Sequence, residues 1–193
     1  MYEIAFVCRD LFPSSRCLFL YRDVVEVAKS MYRLSMAIPV LRLASLVGSC
    51  SGQLMKLSAD LIQMSDSFFC VRLENDLTFG SLYYIETASV YLAVRRRGFN
   101  VSALRYEDLV ARPLDMCRVI LEFCHLPVSL AELAVTAFDR DSQRNSRNAK
   151  SRLRRFKDPQ LTPHKKAQLN ELLKKFGLPL IGESDILEGT LYC

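Results

Sequence analysis

The clearest pattern along this chain is a short apolar run followed at once by a helical one. Residues Cys17 to Tyr21 form an apolar stretch of strand length, which predicts a buried strand. A helix-patterned run continues from about residue 24 to residue 36, and Asp23 is a candidate for its N-cap. A strand end that leads directly into a helix is where α/β sheets bind anions, and Arg22 and Ser30 could bind a phosphate there. Spacing alone fits a surface arginine and an ordinary helical serine as well.

The rest of the chain alternates helical patterns with one more strand. The predicted elements, in chain order, are helices over 51–65 and 82–97, a strand over 99–106, and helices over 113–124, 129–137 and 162–176. Residues 68–73 fit either a strand or a loop. Gly98 and Gly177 are predicted to end the helices that precede them, and Pro113 to open one. This order indicates an α/β layer fold with a parallel sheet.

Composition favours one folded domain over the whole chain. The chain has 193 residues, of which 50% are hydrophobic, and this is enough for a core of its own. The longest uncharged stretch in the middle, Leu43 to Met55, is interrupted by polar residues, whereas a membrane span takes about 20 apolar residues. We therefore expect a single domain without a membrane segment or a signal peptide.

The cysteines and histidines do not indicate a metal site. There are seven cysteines, none in a CxxC pair, and two histidines, so a zinc site is not expected. Cys17, Cys117 and Cys124 lie in apolar runs, which favours buried free thiols. This usage leans towards a reducing compartment such as the cytoplasm, and the Golgi lumen stays open for a parent protein with an upstream anchor.

The net charge of +5 is concentrated in one segment. Residues 140–157 hold eight basic side chains against one acidic one, so this segment carries +7 and the rest of the chain sums to −2. The excess predicts a local anion site or an exposed basic loop.

Two segments, in this order, resemble the sulfotransferases that use 3′-phosphoadenosine 5′-phosphosulfate (PAPS). In that family a strand ends in an arginine, a serine eight residues later lies on the next helix, and Arg22 and Ser30 match this spacing. The family also carries a strand ending in Arg-Tyr-Glu-Asp-Leu, then a proline and an apolar helix, as Arg105–Leu109 and Pro113 do here. Residues 141–146 and the basic stretch after them are similar to the cofactor-covering loop of some carbohydrate-type members. The resemblance covers roughly residues 15 to 156.

The resemblance implies a P-loop-NTPase-like three-layer fold with a parallel sheet, and sulfuryl transfer from PAPS to a hydroxyl acceptor, with a carbohydrate favoured. The 3′-phosphate half would lie at about 15–125, where Arg22 and Ser30 hold the 3′-phosphate of PAPS or of its product, adenosine 3′,5′-bisphosphate. Tyr106 would lie near the adenosine, although a core tyrosine at a strand end fits it equally well. The basic loop 139–158 would cover the phosphates, with three candidate arginines: Arg147, Arg152 and Arg154.

The family's 5′-phosphosulfate loop is not found in the sequence. That loop contains glycine and precedes the helix with the serine, whereas residues 1–21 contain no glycine, and Gly48–Gly52 falls after that helix and is predicted to be a turn. We therefore expect a domain incomplete at its N-terminus, in which no catalytic base can be assigned. Two other functions stay open: a non-catalytic nucleotide-binding or scaffold fragment, and a nucleic-acid module using the basic segment. That segment lacks interleaved aromatics for base stacking, with only Phe156 nearby.

Overall fold

A computed structural model describes residues 15–37, 76–139 and 156–193 of the chain. The predicted helix over 51–65, residues 68–73 and most of the basic loop lie outside the described residues. In chain order the elements are β1 (Cys17–Tyr21), α1 (Val24–Ala37), α2 (Thr78–Arg96), β2 (Val101–Arg105), α3 (Tyr106–Ala111), α4 (Pro113–Phe123), a 3-10 helix (Val128–Leu130), α5 (Ala131–Val135), a second 3-10 helix (Thr136–Asp139) and α6 (Pro163–Lys175).

The described residues belong to two structural units. The first contains 15–23, 88–139 and 185–193, and the second contains 24–37, 76–87 and 156–184. Each unit is described by itself below. The expectation of one domain over 1–193 stays a prediction.

The sheet of the first unit confirms the predicted parallel pairing. β1 and β2 run parallel, with Cys17 opposite Val101 and Tyr21 opposite Arg105. The C-terminal segment lies along β2 as well, because Ala103 donates its N–H to Gly189 O at 3.0 Å and accepts from Leu191 N–H at 2.8 Å. Both backbone groups of Ala103 are used on this side, so the C-terminal segment lies at the edge of β2 opposite β1.

The prediction that β1 is buried is wrong for most of its length. Only Tyr21 is buried, whereas Cys17 is exposed and Leu20 is 53% exposed. Successive side chains of a strand point to opposite faces, and Phe19 stacks on Tyr91 with ring centroids 4.8 Å apart. Leu20 points to the opposite face and is exposed there. An apolar run in the sequence therefore did not predict the burial of each residue, which depends on the face to which its side chain points.

Two other thiols complete the comparison with the predicted cysteines. Cys117 is buried on α4, as predicted, and burial raises the pKa of its thiol. Cys124 is only half-buried, because it is the C-cap residue of α4 and the chain turns away from the core there.

The buried end of β1 is fixed by the C-terminal segment. The Tyr21 hydroxyl is paired with Thr190 Oγ1 at 3.0 Å and accepts the Leu187 N–H at 3.3 Å. Burial raises the pKa of Tyr21, and hydrogen bonds from Thr190 and Leu187 oppose the rise without cancelling it. Leu187 and Thr190 of the C-terminal segment are therefore part of the core of this unit.

We expect Tyr21→Phe to lower the free energy of unfolding by about 1–2 kcal/mol, because it leaves Leu187 N–H buried without an acceptor. The raised pKa means that the folded state favours the neutral phenol. This stability is present below the unfolded pKa of about 10 and is lost as pH rises through the folded pKa, so the difference between the two proteins should narrow there. Urea unfolding at pH 7 and above pH 10 checks this. Tyr83→Phe, on the exposed Tyr83, is the matched control, and equal stability of Tyr21→Phe and wild type at pH 7 would contradict it.

The helices of the first unit follow the sequence with two differences. α3 was not foreseen, because the predicted strand over 99–106 ends at Arg105 and Tyr106 already begins a helix. α4 begins at Pro113, as predicted. The predicted helix over 129–137 is α5 flanked by two 3-10 helices, and Ala131 packs against Cys117 and Leu121 of α4.

The second unit contains α1, the start of α2 and α6. Ala28, Leu77 and Leu169 form its buried cluster. α1 begins at Val24, and α6 has Thr162 as N-cap, whose side chain accepts Lys165 N–H at 3.3 Å. α2 begins at Thr78, not at residue 82 as predicted, and Gly80 lies inside its first turn, where it packs against Ala28.

Candidate functional site

The carboxyl ends of the two parallel strands bring Arg22 and Tyr106 together. Arg22 directly follows β1, and Tyr106 directly follows Arg105, the register partner of Tyr21. The Arg22 guanidinium carbon lies 5.0 Å from the centroid of the Tyr106 ring, which is a cation–π contact. The Arg22 side chain is 38% exposed. An arginine fixed over an aromatic ring and open to solvent is suited to bind a phosphorylated nucleotide, because it offers a fork for oxygens beside a surface on which a base can pack.

Glu107 connects the ends of β1 and β2. Its Oε1 accepts the Asp23 N–H at 3.2 Å and lies 3.5 Å from Arg22 Nε, and its Oε2 lies 3.7 Å from Arg105 Nε. Glu107 thus contacts residues at the ends of both strands. The carboxylate forms an ion pair with Arg22, whose guanidinium lies over the tyrosine ring.

Arg105 is held by acidic residues on two segments. Its Nη2 donates to Asp185 Oδ2 at 2.6 Å, and its Nη1 lies 3.9 Å from Asp108 Oδ1. Partial burial alone would lower the pKa of Arg105, but the hydrogen bond to Asp185 and the charges of Asp185, Glu107 and Asp108 outweigh burial and raise it. The positive charge of Arg105 is thus directed inward to carboxylates.

The ion pairs at this edge of the sheet form one network without net charge. In the described part of the chain, its members are Arg22, Arg105, Arg112, Glu107, Asp108 and Asp185. Three positive charges therefore meet three negative ones. A phosphate bound here would be recognised by the geometry of Arg22, and further positive charge would have to come from another part of the chain.

The other predicted site residues are distributed differently. Ser30 is half-buried on α1 in the second unit, where Arg33, one turn further along, is 3.3 Å from Asp158. Arg147, Arg152 and Arg154 lie outside the described residues. His125 is exposed, follows the C-cap of α4 with a φ of 56° and donates its N–H to Glu122 O.

One residue of this ion-pair network was not predicted from the sequence. Asp185 lies far from the strands in sequence, and no motif surrounds it. Its partner Arg105 belongs to the Arg-Tyr-Glu-Asp segment, but the sequence of that segment does not indicate which distant carboxylate forms an ion pair with the arginine.

The described residues contain neither a metal-ligand cluster nor a helix that could span a membrane. Within 15–37, 76–139 and 156–193, no three His, Cys, Asp or Glu side chains lie close enough to hold a metal ion. Across the same ranges, no helix is both long and apolar enough to span a bilayer.

Comparison with protein families identifies the family of this chain. The family model for the sulfotransferase domain matches residues 9–175, and the chain belongs to this family. The family predicted from the sequence is therefore confirmed, and it indicates sulfuryl transfer with a nucleotide cosubstrate, which in this family is generally PAPS. Neither the curated proteins nor the solved structures gave a match.

Proposed function

We propose that this chain binds PAPS through Arg22 as the ligand of the 3′-phosphate, and serves sulfuryl transfer to a hydroxyl acceptor. The observation that carries the proposal is the placement of Arg22 over Tyr106 where two parallel strands end. Ser30 is proposed for the same phosphate on the strength of the family spacing alone. The P-loop-like three-layer arrangement and a single domain over 1–193 belong to the same proposal.

Tyr106 is proposed to lie against the adenosine. Its ring is half-buried and is already in contact with a guanidinium that would hold a phosphate of the same nucleotide. Aromatic rings stack on bases with little sequence preference, and each such contact contributes about 1–3 kcal/mol. A base and a phosphate bound to neighbouring groups would select a nucleotide over free phosphate.

The remaining charge is proposed to come from the basic loop 139–158. The network around Arg22 is neutral, so a bisphosphate needs cations from elsewhere, and Arg147, Arg152 and Arg154 are the candidates. A carbohydrate hydroxyl is the proposed acceptor, from the likeness of residues 141–146 to carbohydrate-type members. Sulfuryl transfer also requires donors around the departing 5′-phosphate and a base for the acceptor, and these are left unassigned.

Calorimetric titration with adenosine 3′,5′-bisphosphate, beside adenosine 5′-monophosphate, tests the proposal. We expect the bisphosphate to bind at least about tenfold more tightly, because only it carries the 3′-phosphate that Arg22 would bind by charge-assisted hydrogen bonds. Equal affinities, or no binding of either by a folded sample, would contradict the proposal. Tight binding of duplex DNA or RNA at low salt instead would favour the nucleic-acid reading.

Labelled PAPS distinguishes a catalytic from a binding role. Transfer of labelled sulfate to a panel of carbohydrate hydroxyls would establish the enzyme. Selective binding of the bisphosphate without transfer would support the alternative, a non-catalytic nucleotide-binding or scaffold fragment.

A further inference from the structure

The C-terminal segment Asp185–Cys193 contributes to the edge of the sheet where Arg22 lies. Its backbone is hydrogen-bonded to Ala103 of β2, and its Thr190 hydroxyl is hydrogen-bonded to the Tyr21 hydroxyl. Its Glu188 carbonyl accepts a hydrogen bond from Tyr91 Oη at 2.7 Å. The family match ends at residue 175, so this segment lies outside the matched residues.

Asp185 begins a series of contacts that ends at Arg22. It accepts from Arg105 at 2.6 Å, Arg105 lies 3.7 Å from Glu107, and Glu107 lies 3.5 Å from Arg22 Nε. The side chains of Asp185, Arg105 and Glu107 are 29%, 25% and 30% exposed, so the series is partly shielded from water. Ion pairs in such surroundings are less screened by salt than surface pairs.

The shortest of these contacts indicates which carboxylate binds Arg105 most strongly. Arg105 has three carboxylates near it, and Asp185 is the nearest by about 1 Å. Without the Asp185 charge, Arg105 would bind Glu107 more closely, and Glu107 would leave Arg22 Nε and the Asp23 N–H. Arg22 would then lose its ion pair with Glu107, and its guanidinium would be held less firmly over Tyr106.

We propose that Asp185 is a positioning residue for 3′-phosphate recognition, acting on Arg22 through Arg105 and Glu107. This inference rests on the function proposed above. It predicts that a carboxylate outside the family's matched residues controls how well the nucleotide's 3′-phosphate is distinguished.

The test is titration of Asp185→Asn with adenosine 3′,5′-bisphosphate and with adenosine 5′-monophosphate. We expect bisphosphate affinity to fall roughly three- to tenfold and monophosphate affinity to stay unchanged, which is the range for substitutions within a coupled network. The variant also removes one negative charge, which would favour both anions, but at 0.15 M salt the screening length is about 8 Å and this gain is small. A loss that is equal for both ligands would indicate general destabilisation and overturn the proposal.

Glu188→Gln is the matched control. Glu188 belongs to the same segment and pairs with Arg95 at 3.6 Å, not with the network around Arg22. Its replacement should leave the affinities for both nucleotides unchanged. If Asp185→Asn behaves like Glu188→Gln while the wild type still prefers the bisphosphate, the positioning role is wrong and the proposed function stands. If the wild type shows no such preference, both fail.

A double substitution and a second variant separate positioning from folding. In the Arg22→Ala background, Asp185→Asn should cause no further loss of bisphosphate binding, whereas a purely structural role would add a second loss. Should Asp185→Asn fail to fold, Arg105→Lys interrupts the same series, because lysine keeps the charge without the fork that reaches two carboxylates. It should produce the same selective loss, and unchanged selectivity would overturn the proposal.

Discussion

Replacing Arg22 with alanine is expected to weaken binding of adenosine 3′,5′-bisphosphate by about a hundredfold. The guanidinium would form charge-assisted hydrogen bonds to the 3′-phosphate, and each such bond contributes about 1.5–3 kcal/mol. The fold should remain, because Glu107 keeps Arg105 and the Asp23 N–H as partners. A partly exposed ion pair such as Arg22–Glu107 contributes about 1 kcal/mol or less to stability.

Calorimetry on the variant and a matched control checks this expectation. Arg118→Ala removes an arginine of the same unit that pairs with Asp115 at 3.4 Å on the exposed side of α4, and it should bind like the wild type. Arg22→Lys should have an intermediate affinity for the bisphosphate, about tenfold weaker than wild type, because lysine keeps the charge and lacks the forked guanidinium. An unchanged dissociation constant for Arg22→Ala would remove Arg22 from the site and with it the proposed function.

The elements that the sequence predicted best are those with local signals. α4 begins at its proline, α6 begins after Thr162, and Gly98 and Gly177 have φ angles of 80° and 65° where helices end. Caps, prolines and left-handed glycines act within a few residues, so their effect can be read from neighbours in the chain.

The features that were missed depend on distant parts of the chain. The exposure of Leu20 depends on what covers each face of β1, which an apolar run does not state. The contact of Asp185 with Arg105 joins residues that are 80 apart in sequence. Glu107 likewise contacts Arg22, which follows another strand, and no local signal in the Arg-Tyr-Glu-Asp segment indicates that contact.

Replacing Gly80 with alanine should destabilise the chain, although alanine is the better helix former. Helix propensity alone would favour Gly80→Ala by about 1 kcal/mol. A Cβ at this buried position, however, would lie 2.6 Å from Ala28 Cα, 2.8 Å from Ala28 O and 3.0 Å from Met31 Cβ. Two of these atoms are backbone of α1 and cannot rotate away, so the helix must shift. Overpacking of this kind costs about 1–3 kcal/mol, so after the gain in helix propensity we expect a net loss of up to about 2 kcal/mol, or a melting temperature lower by up to about 8 °C.

Gly98→Ala shows whether close packing is the cause. Gly98 has a φ of 80°, and a Cβ there would meet nothing within 4 Å, so its replacement should cost only the backbone strain of about 1 kcal/mol. Ser30, a proposed ligand of the 3′-phosphate, lies on α1 two residues after Ala28. If that proposal holds, the shift caused by Gly80→Ala should reduce bisphosphate binding, whereas Gly98→Ala should not. Thermal melts and bisphosphate titrations of Gly80→Ala and Gly98→Ala check both predictions. If Gly80→Ala melts at or above the wild-type temperature, α1 and α2 are not in the close contact described. If it melts lower and binds normally, the helix shift does not reach the nucleotide, and Ser30 is not one of its ligands.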